Sequence, residues 1–159
     1  MSSTRHEVGP YVVDTNLYIR ATRDDDWSRD LESFFIAFTP WVALHSVVAL
    51  EVLAGAHDRD LERRTQARFI EPFERRGRVI TPGHGAYVRA AGAIARLVRD
   101  KRIRPDGMKR SFVNDCLIAA SARERGFTLV TDNLADFRLI GRVLPVRVVP
   151  PWPDPATAR

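Results

Sequence analysis

A chain of 159 residues, 45% hydrophobic and 28% charged, suits one domain around one core. Its longest apolar runs, such as Val47 to Leu50, are far too short to span a bilayer, and residues 1–10 hold no apolar stretch, which argues against a secretory signal. A single cysteine, Cys116, excludes an internal disulfide framework and a cysteine-rich zinc site, while the net charge of +5 favours polyanion partners such as nucleic acid. Cytoplasmic location and no membrane partner are therefore expected. Lys101 and Lys109 are the only lysines, so almost all the positive charge is arginine, whose planar fork can bind two phosphate oxygens at once.

Tyr11–Val13 is short, apolar and β-branched, and predicts a buried strand ending at Asp14. A short helix is expected from Leu17 to Thr22, followed by Asp24–Asp26 as a loop or a helix start. Leu31, Phe34, Phe35 and Phe38 repeat at helical spacing, and Pro40 stops that helix. Trp41–His45 predicts a second strand, with Ser46 as cap of a helix that carries Leu50, Glu51 and Leu53 and closes near Gly55. Asp58 to Glu71 predicts a charged amphipathic helix with Leu61, Phe69 and Ile70 facing inward, ended or kinked by Pro72, with Phe73 packing beneath. Val79 and Ile80 make a brief strand. Tyr87, Ala91, Ile94, Ala95 and Val98 predict a helix with a small-residue face, and residues 102–107 a polar connector.

Ser111 is the expected cap of the next helix, which buries Phe112, Cys116, Leu117, Ala119 and Ala120 and stops at Gly126. Phe127–Val130 predicts another buried strand. The loop Thr131–Asn133, a short helix around Phe137–Ile140 and a last strand at Val146–Val149 complete the pattern, before a tail broken by Pro150, Pro151, Pro153 and Pro155. Strands alternate with helices throughout, so the expected fold is a three-layer α/β/α arrangement with a mainly parallel sheet. The domain is expected to fill residues 1–159, its core about 11–149 and its proline-rich tail 150–159.

The informative feature is where the acids fall. Asp14 ends the first strand, at the carboxyl edge where open α/β sheets place their ligand sites. Glu51 sits in the second turn of its helix beside Leu50 and Val52, and Asp115 sits early in its own, next to Cys116 and Leu117. Asp132 follows the Phe127–Thr131 stretch directly, with Asn133 next and Asp136 one helical turn on. Charged groups beside core-forming residues are uncommon unless paired or bound to metal. Several carboxylates sharing one pocket repel each other, and a divalent cation removes that conflict. An oxygen-only set suits Mg²⁺ or Mn²⁺, whereas zinc or copper would call for His or Cys. Such an ion activates water and stabilises charge on a phosphate. Cys116 reads as a buried small hydrophobe, His45 as a structural residue, and His6, His57 and His84 share no ligand spacing. Arg63, Arg64, Arg75, Arg76 and Arg78 read mostly as a solvated face, with an RNA-facing surface as the alternative.

Four segments, YVVDTNLYI at 11–19, HSVVALEVLAG at 45–55, NDCLIAASARERGFTLVTDN at 114–133 and ADF at 135–137, resemble the PIN-domain family, and within it the VapC-like toxins of VapBC toxin–antitoxin modules. The resemblance runs from about Tyr11 to Val149. It implies a Mg²⁺-dependent endoribonuclease, with Mn²⁺ as substitute ion, that hydrolyses phosphodiester bonds in structured RNA such as a tRNA or rRNA loop. Asp14, Glu51 and Asp115 would take the family's three best-defined acidic positions as catalytic residues and metal ligands, and Asn16 would organise the loop around Asp14. The fourth position falls on Asn133 by the family's pattern, so Asp132 is taken as the nearest charged candidate, with Asp136 beside it. The resemblance also implies a homodimer and a VapB-like antitoxin, for which Trp27, Phe34, Phe35 and Phe38 would supply a groove unless they are simply core. A PIN-like protein that binds RNA or a partner while cutting weakly is the alternative, kept open by Asn133. A DNA-directed nuclease would use the same acids. A phosphoacceptor receiver domain fits poorly, because Asp14 is followed by Thr15 and Val146–Val149 lacks a lysine.

Overall fold

The computed structural model describes residues 10–154; His6 and Pro155 lie outside them. Five parallel strands form one sheet in the order β3-β2-β1-β4-β5, comprising β1 Tyr11–Val13, β2 Val42–His45, β3 Val79–Ile80, β4 Thr128–Val130 and β5 Arg147–Val149. Register is fixed by short β-branched segments, with Val12 opposite Ala43 on one side and Leu129 on the other. All three residues of β1 are buried, as expected for a central strand covered on both faces by helices. The three-layer α/β/α expectation is met.

The chain runs outward from β1 through β2 to β3, then returns to start β4 on the other side of β1. The gap between β1 and β4 is thus the point where strand order reverses, and their carboxyl ends open the crevice where such sheets bind ligands. Everything functional below sits there.

The helices are α1 Thr15–Ala21, α2 Asp25–Phe38, α3 Ser46–Ala54, α4 Arg59–Thr65, α5 Glu71–Arg75, α6 His84–Arg99, α7 Arg110–Arg125 and α8 Leu134–Gly141. Several starts differ from the sequence reading because other side chains took the capping role. Asp14 caps α1 by accepting from Thr15 N, so this helix begins two residues earlier than its apolar pattern suggested. Asp24 resolves the acidic run as a helix start, its Oδ1 accepting from Asp26 N at 2.9 Å and Trp27 N at 3.1 Å. His45, not Ser46, caps α3 through its ring nitrogen, and Lys109 precedes α7 without a side-chain cap, which places Ser111 inside the first turn. Gly126 ends α7 in the left-handed conformation at φ 72°, as only glycine does cheaply.

Pro72 does not end its helix. A π-helical turn, Gln66–Ile70, joins α4 to α5, and helical turns continue to Arg75 with the proline in the first turn of α5. A wider turn placed just before a proline accommodates the residue that cannot donate its backbone N–H. Phe69, Ile70 and Phe73 are buried there.

The face chosen for α6 was wrong by one position. Ala86, Ala90, Ala93 and Leu97 are buried, while Tyr87 is 56% exposed and Ala91 and Ala95 are exposed. One residue is 100° of helix, and a helix this rich in alanine offers apolar residues on more than one side. Contact with α7 decided between them: Ala-rich stripes let the two helices approach closely. On the other side of the molecule Tyr11, Phe34 and Phe38 pack as edge-to-face and tilted rings, with centroids 4.8 to 5.7 Å apart.

Candidate active site

Asp14 is 1% exposed at the tip of β1. Its Oδ1 accepts from Thr15 N at 2.8 Å and its Oδ2 from Thr131 Oγ1 at 2.7 Å. Thr131 follows β4 directly, so neighbouring parallel strands supply the acid and the hydroxyl that orients it. Burial pushes the Asp14 carboxyl up to about 6; the two hydrogen bonds work the other way, and the charges of Glu51 and Asp132 add to the rise.

Glu51 reaches the same place from α3. Thr15 Oγ1 donates to its Oε2 at 2.5 Å, and Asn114 Nδ2 donates to its Oε1 at 2.8 Å. Asp115 enters from α7, 7% exposed, and its carboxyl is pushed up to about 8 by burial first and then by Asp14, Glu51 and Asp136. Asp14, Glu51 and Asp115 line one open pocket of about 560 Å³, together with Thr15, Asn16, Ile19, Leu50, Arg110, Asn114 and Asn133.

Asp132 is placed differently. Its carboxylate pairs with Arg20 at 3.1 Å on a half-exposed surface and does not line the pocket, although its charge is felt at Asp14. Arg20 in turn lies 4.1 Å over the Trp27 ring. The pocket side of this loop belongs to Asn133, whose Nδ2 donates to Asp136 Oδ2 at 3.0 Å and to Asp115 Oδ2 at 3.4 Å. Its backbone N–H donates to Thr131 Oγ1 at 3.0 Å, which ties the loop to the Asp14 anchor. The turn after β4, closed by the Asn133 N–H on Thr131 Oγ1, separates the two side chains, so that Asp132 meets Arg20 and Asn133 meets Asp115.

Asn16 lines the pocket but makes no side-chain hydrogen bond among the described residues; Thr15 and Thr131 do the organising expected of it. Cys116 is fully buried with its thiol pushed up to about 12, so no thiolate forms near neutrality. His45 is also fully buried, accepts from Val47 N at 3.1 Å and is held down at about 4 by desolvation, which makes it a neutral structural residue. Sequence reasoning passed over Asn114 and Arg110. The signal was there: positions 110, 111, 114 and 115 recur at helical spacing, so Asp115 marked the whole face.

The donor chemistry fits a hard divalent cation. Every side chain there able to ligate a cation does so through oxygen, and two buried acids sit above their ordinary range, first through burial and then through their neighbours' charge. Among the described residues no three His, Cys, Asp or Glu side chains are already gathered tightly enough to enclose an ion. Both oxygens of Asp14 and both of Glu51 accept hydrogen bonds, whereas Asp115 accepts one, from Asn133 at its Oδ2.

The sequence profile described as PIN domain matches residues 11–142. The chain belongs to the PIN domain family. VapC-type PIN domains are in general nucleases, and the family in general uses a divalent metal. The fold is shared with DNA-bound VapBC from Salmonella typhimurium, at 23% identity and a TM-score of 0.66, covering 89% of this chain and 98% of that one. VapBC2 from Rickettsia felis bound to a promoter DNA fragment is similar at 23% identity and a TM-score of 0.62, covering 90% and 98%. VapBC-5 from Mycobacterium tuberculosis, a member of the VapBC family of toxin–antitoxin systems, has 21% identity and a TM-score of 0.53, covering 89% and 98%. No curated protein gives a significant sequence match. Among the described residues no helix is long and apolar enough to cross a membrane.

Proposed function

We propose that this PIN domain is a Mg²⁺-dependent endoribonuclease that acts as the toxin of a VapBC-type pair. The observation that carries the reading is the meeting of Asp14, Glu51 and Asp115, from three separate elements, in one open pocket at the β1/β4 switch point. Asp14 and Asp115 would hold the ion, with Glu51 reaching it directly or through water. When bound, the ion supplies an activated water and a counter-charge for the phosphate.

The chain's own residues do the rest. Thr131 and the Thr15 amide hold one Asp14 oxygen each, which fixes its carboxylate at the pocket lining. Asn114 and Thr15 restrain Glu51 on the opposite side. Asn133 bridges Asp115 and Asp136 without adding a negative charge, so the fourth position neutralises repulsion and supplies no anion. That arrangement favours a single tightly held ion, and it is also the observation behind a second reading, a weakly catalytic PIN-like protein that binds RNA or a partner.

The solved VapBC complexes support a VapB-like antitoxin as partner. The structure divides the aromatic residues once assigned to an antitoxin groove. Phe34 and Phe38 are core, Trp27 packs on Trp152 with ring centroids 5.7 Å apart, and Phe35 alone opens into a second hollow between α2 and α5.

The test is incubation of purified protein with total RNA and Mg²⁺, beside Asp14→Asn, Asp115→Asn and an EDTA control. Cleavage that requires the ion and both acids supports the nuclease reading. Folded wild type that binds RNA without cutting it moves the choice to the second reading.

A further inference from the structure

The neighbouring helices α6 and α7 end in the same hydrogen-bonded turn. Arg102 N–H donates to Leu97 O at 2.8 Å and Lys101 N–H to Val98 O at 3.0 Å, just as Phe127 N–H does to Ala122 O at 2.8 Å and Gly126 N–H to Arg123 O at 3.2 Å. Each turn needs one residue in the left-handed conformation. In α7 it is Gly126 at φ 72°, but in α6 it is Lys101 at φ 55°. Among the described residues Lys101 is the only non-glycine with positive φ, and Gly77, Gly107 and Gly126 hold the other such positions. A lysine there carries a steric cost that glycine avoids, and it lacks the short polar side chain by which asparagine relieves it.

Lys101 also stands in the densest run of cations in the sequence. From Arg99 to Arg110 there are six, namely Arg99, Lys101, Arg102, Arg104, Lys109 and Arg110, against Asp100 and Asp106, a net +4 where the whole chain carries +5. All six are exposed, and Asp100 lies 3.7 Å from Arg96, outside the run. Ile103 and Met108 are half-buried, so the connector, residues 100–109, is held to the body while its cations face water.

Resting on the nuclease reading, we propose that the α6–α7 connector docks the phosphate backbone of a base-paired RNA stem beside the stretch to be cut. Charge of one sign at this density attracts a polyanion and releases its counterions. The run holds no aromatic residue, so it offers no platform on which unpaired bases stack, and what it grips is backbone. It also presents no exposed large apolar side chain of the kind that inserts into a lipid surface or anchors a peptide. Its last residue, Arg110, opens α7 and lines the acidic pocket, so a stem lying on the connector leads its adjoining strand to that pocket. The strain at Lys101 then has a use: glycine would relieve the turn and remove a phosphate contact.

The experiment measures, across a salt series, the affinity of a labelled hairpin RNA with a stem of about twelve base pairs, with Ca²⁺ replacing Mg²⁺ to suppress cleavage. Arg102→Gln with Arg104→Gln should weaken binding about tenfold and flatten the slope of log K against log salt by about 1.8, as the loss of two phosphate contacts requires. Lys101→Gly should weaken binding about threefold and flatten the slope by about 0.9, yet raise Tm by about 2 °C. A purely structural lysine would not join a gain in stability to a loss of affinity. The charge-matched control, Arg59→Gln with Arg125→Gln, at exposed positions on α4 and at the far end of α7, should leave the slope within about 0.3 of wild type. In Mg²⁺ the Arg102 and Arg104 double variant should raise KM about tenfold and leave kcat within about threefold.

An unchanged salt slope in the double variant, full affinity in Lys101→Gly, or an equal loss in the control pair overturns the inference. So do connector variants that lose binding to phosphatidylserine vesicles but keep their RNA affinity. If wild type cuts RNA in Mg²⁺ and the connector variants match it in KM and salt slope, only this inference falls. If folded wild type neither binds nor cuts RNA, the nuclease reading falls and takes the inference with it.

Discussion

Among the described residues, two hollows of about 560 Å³ each differ sharply in their linings. The first gathers Asp14, Glu51 and Asp115 at the carboxyl end of the sheet. The second lies between the end of α2 and α5, where Phe35, Ile36, Val42, Pro72 and Phe73 line the base and Arg68, Arg76 and Arg78 the rim. Around the second, packing and stability point the same way: Phe35 meets Phe73 edge-to-face at 5.4 Å, burying apolar area and gaining ring contact. Around the first they are opposed, because buried acids repel one another and are held above their ordinary range. A fold that keeps such an arrangement gives up stability there, so repulsion marks the candidate site and aromatic packing marks its support.

The comparison can be broken most sharply at the acids. Asp14→Asn or Asp115→Asn should lower Mg²⁺-dependent RNA cleavage by on the order of 10³-fold, read from initial rates, while circular dichroism stays native. At the second hollow, Phe73→Ala should instead cost about 3 kcal/mol of stability in urea unfolding and leave the cleavage rate per folded molecule unchanged, since it removes a buried ring that takes no part in lining the acidic pocket.

Stability should also move in opposite directions at the two places. Asp14 and Asp115 hold protons more tightly folded than unfolded, so the cation-free protein should be most stable at low pH as far as these groups decide. It should lose stability as pH rises through about 6 and then about 8. Asp115→Asn should therefore raise cation-free stability at pH 7.5 by on the order of 2 kcal/mol, seen as a higher Tm, and should abolish most of the pH slope. Adding Mg²⁺ to wild type should raise Tm more at pH 8 than at pH 5, because the ion competes with those protons. The smallest effect belongs to Asp132→Ala. Breaking its half-exposed pair with Arg20 should change stability by about 0.5 kcal/mol and cleavage by less than about threefold. A large loss of cleavage there would return Asp132 to the catalytic set.

Much of the fold was written in local pattern. The strands, the helix order and the placing of Asp14 at a strand end and of Glu51 and Asp115 in the second turns of their helices followed from short β-branched runs, helical spacing and turn residues. Those signals act within a few residues, so one chain suffices to read them. What failed needed a neighbour. The α6 stripe was shifted because alanine lets either face bury, and only α7 chose. The caps at His45 and Asp14 depended on which side chain the preceding strand aimed back at the helix.

The sequence by itself determined that an all-oxygen, acidic site would sit at the carboxyl edge of a parallel α/β sheet, because residue type and strand end are local properties. Tertiary structure decided which acids share the pocket. Asp132 and Asn133 are adjacent in the chain, yet one side chain meets Arg20 from α1 and the other meets Asp115 from α7. The turn after β4 divides them, and the partners that await them lie 112 and 18 residues away.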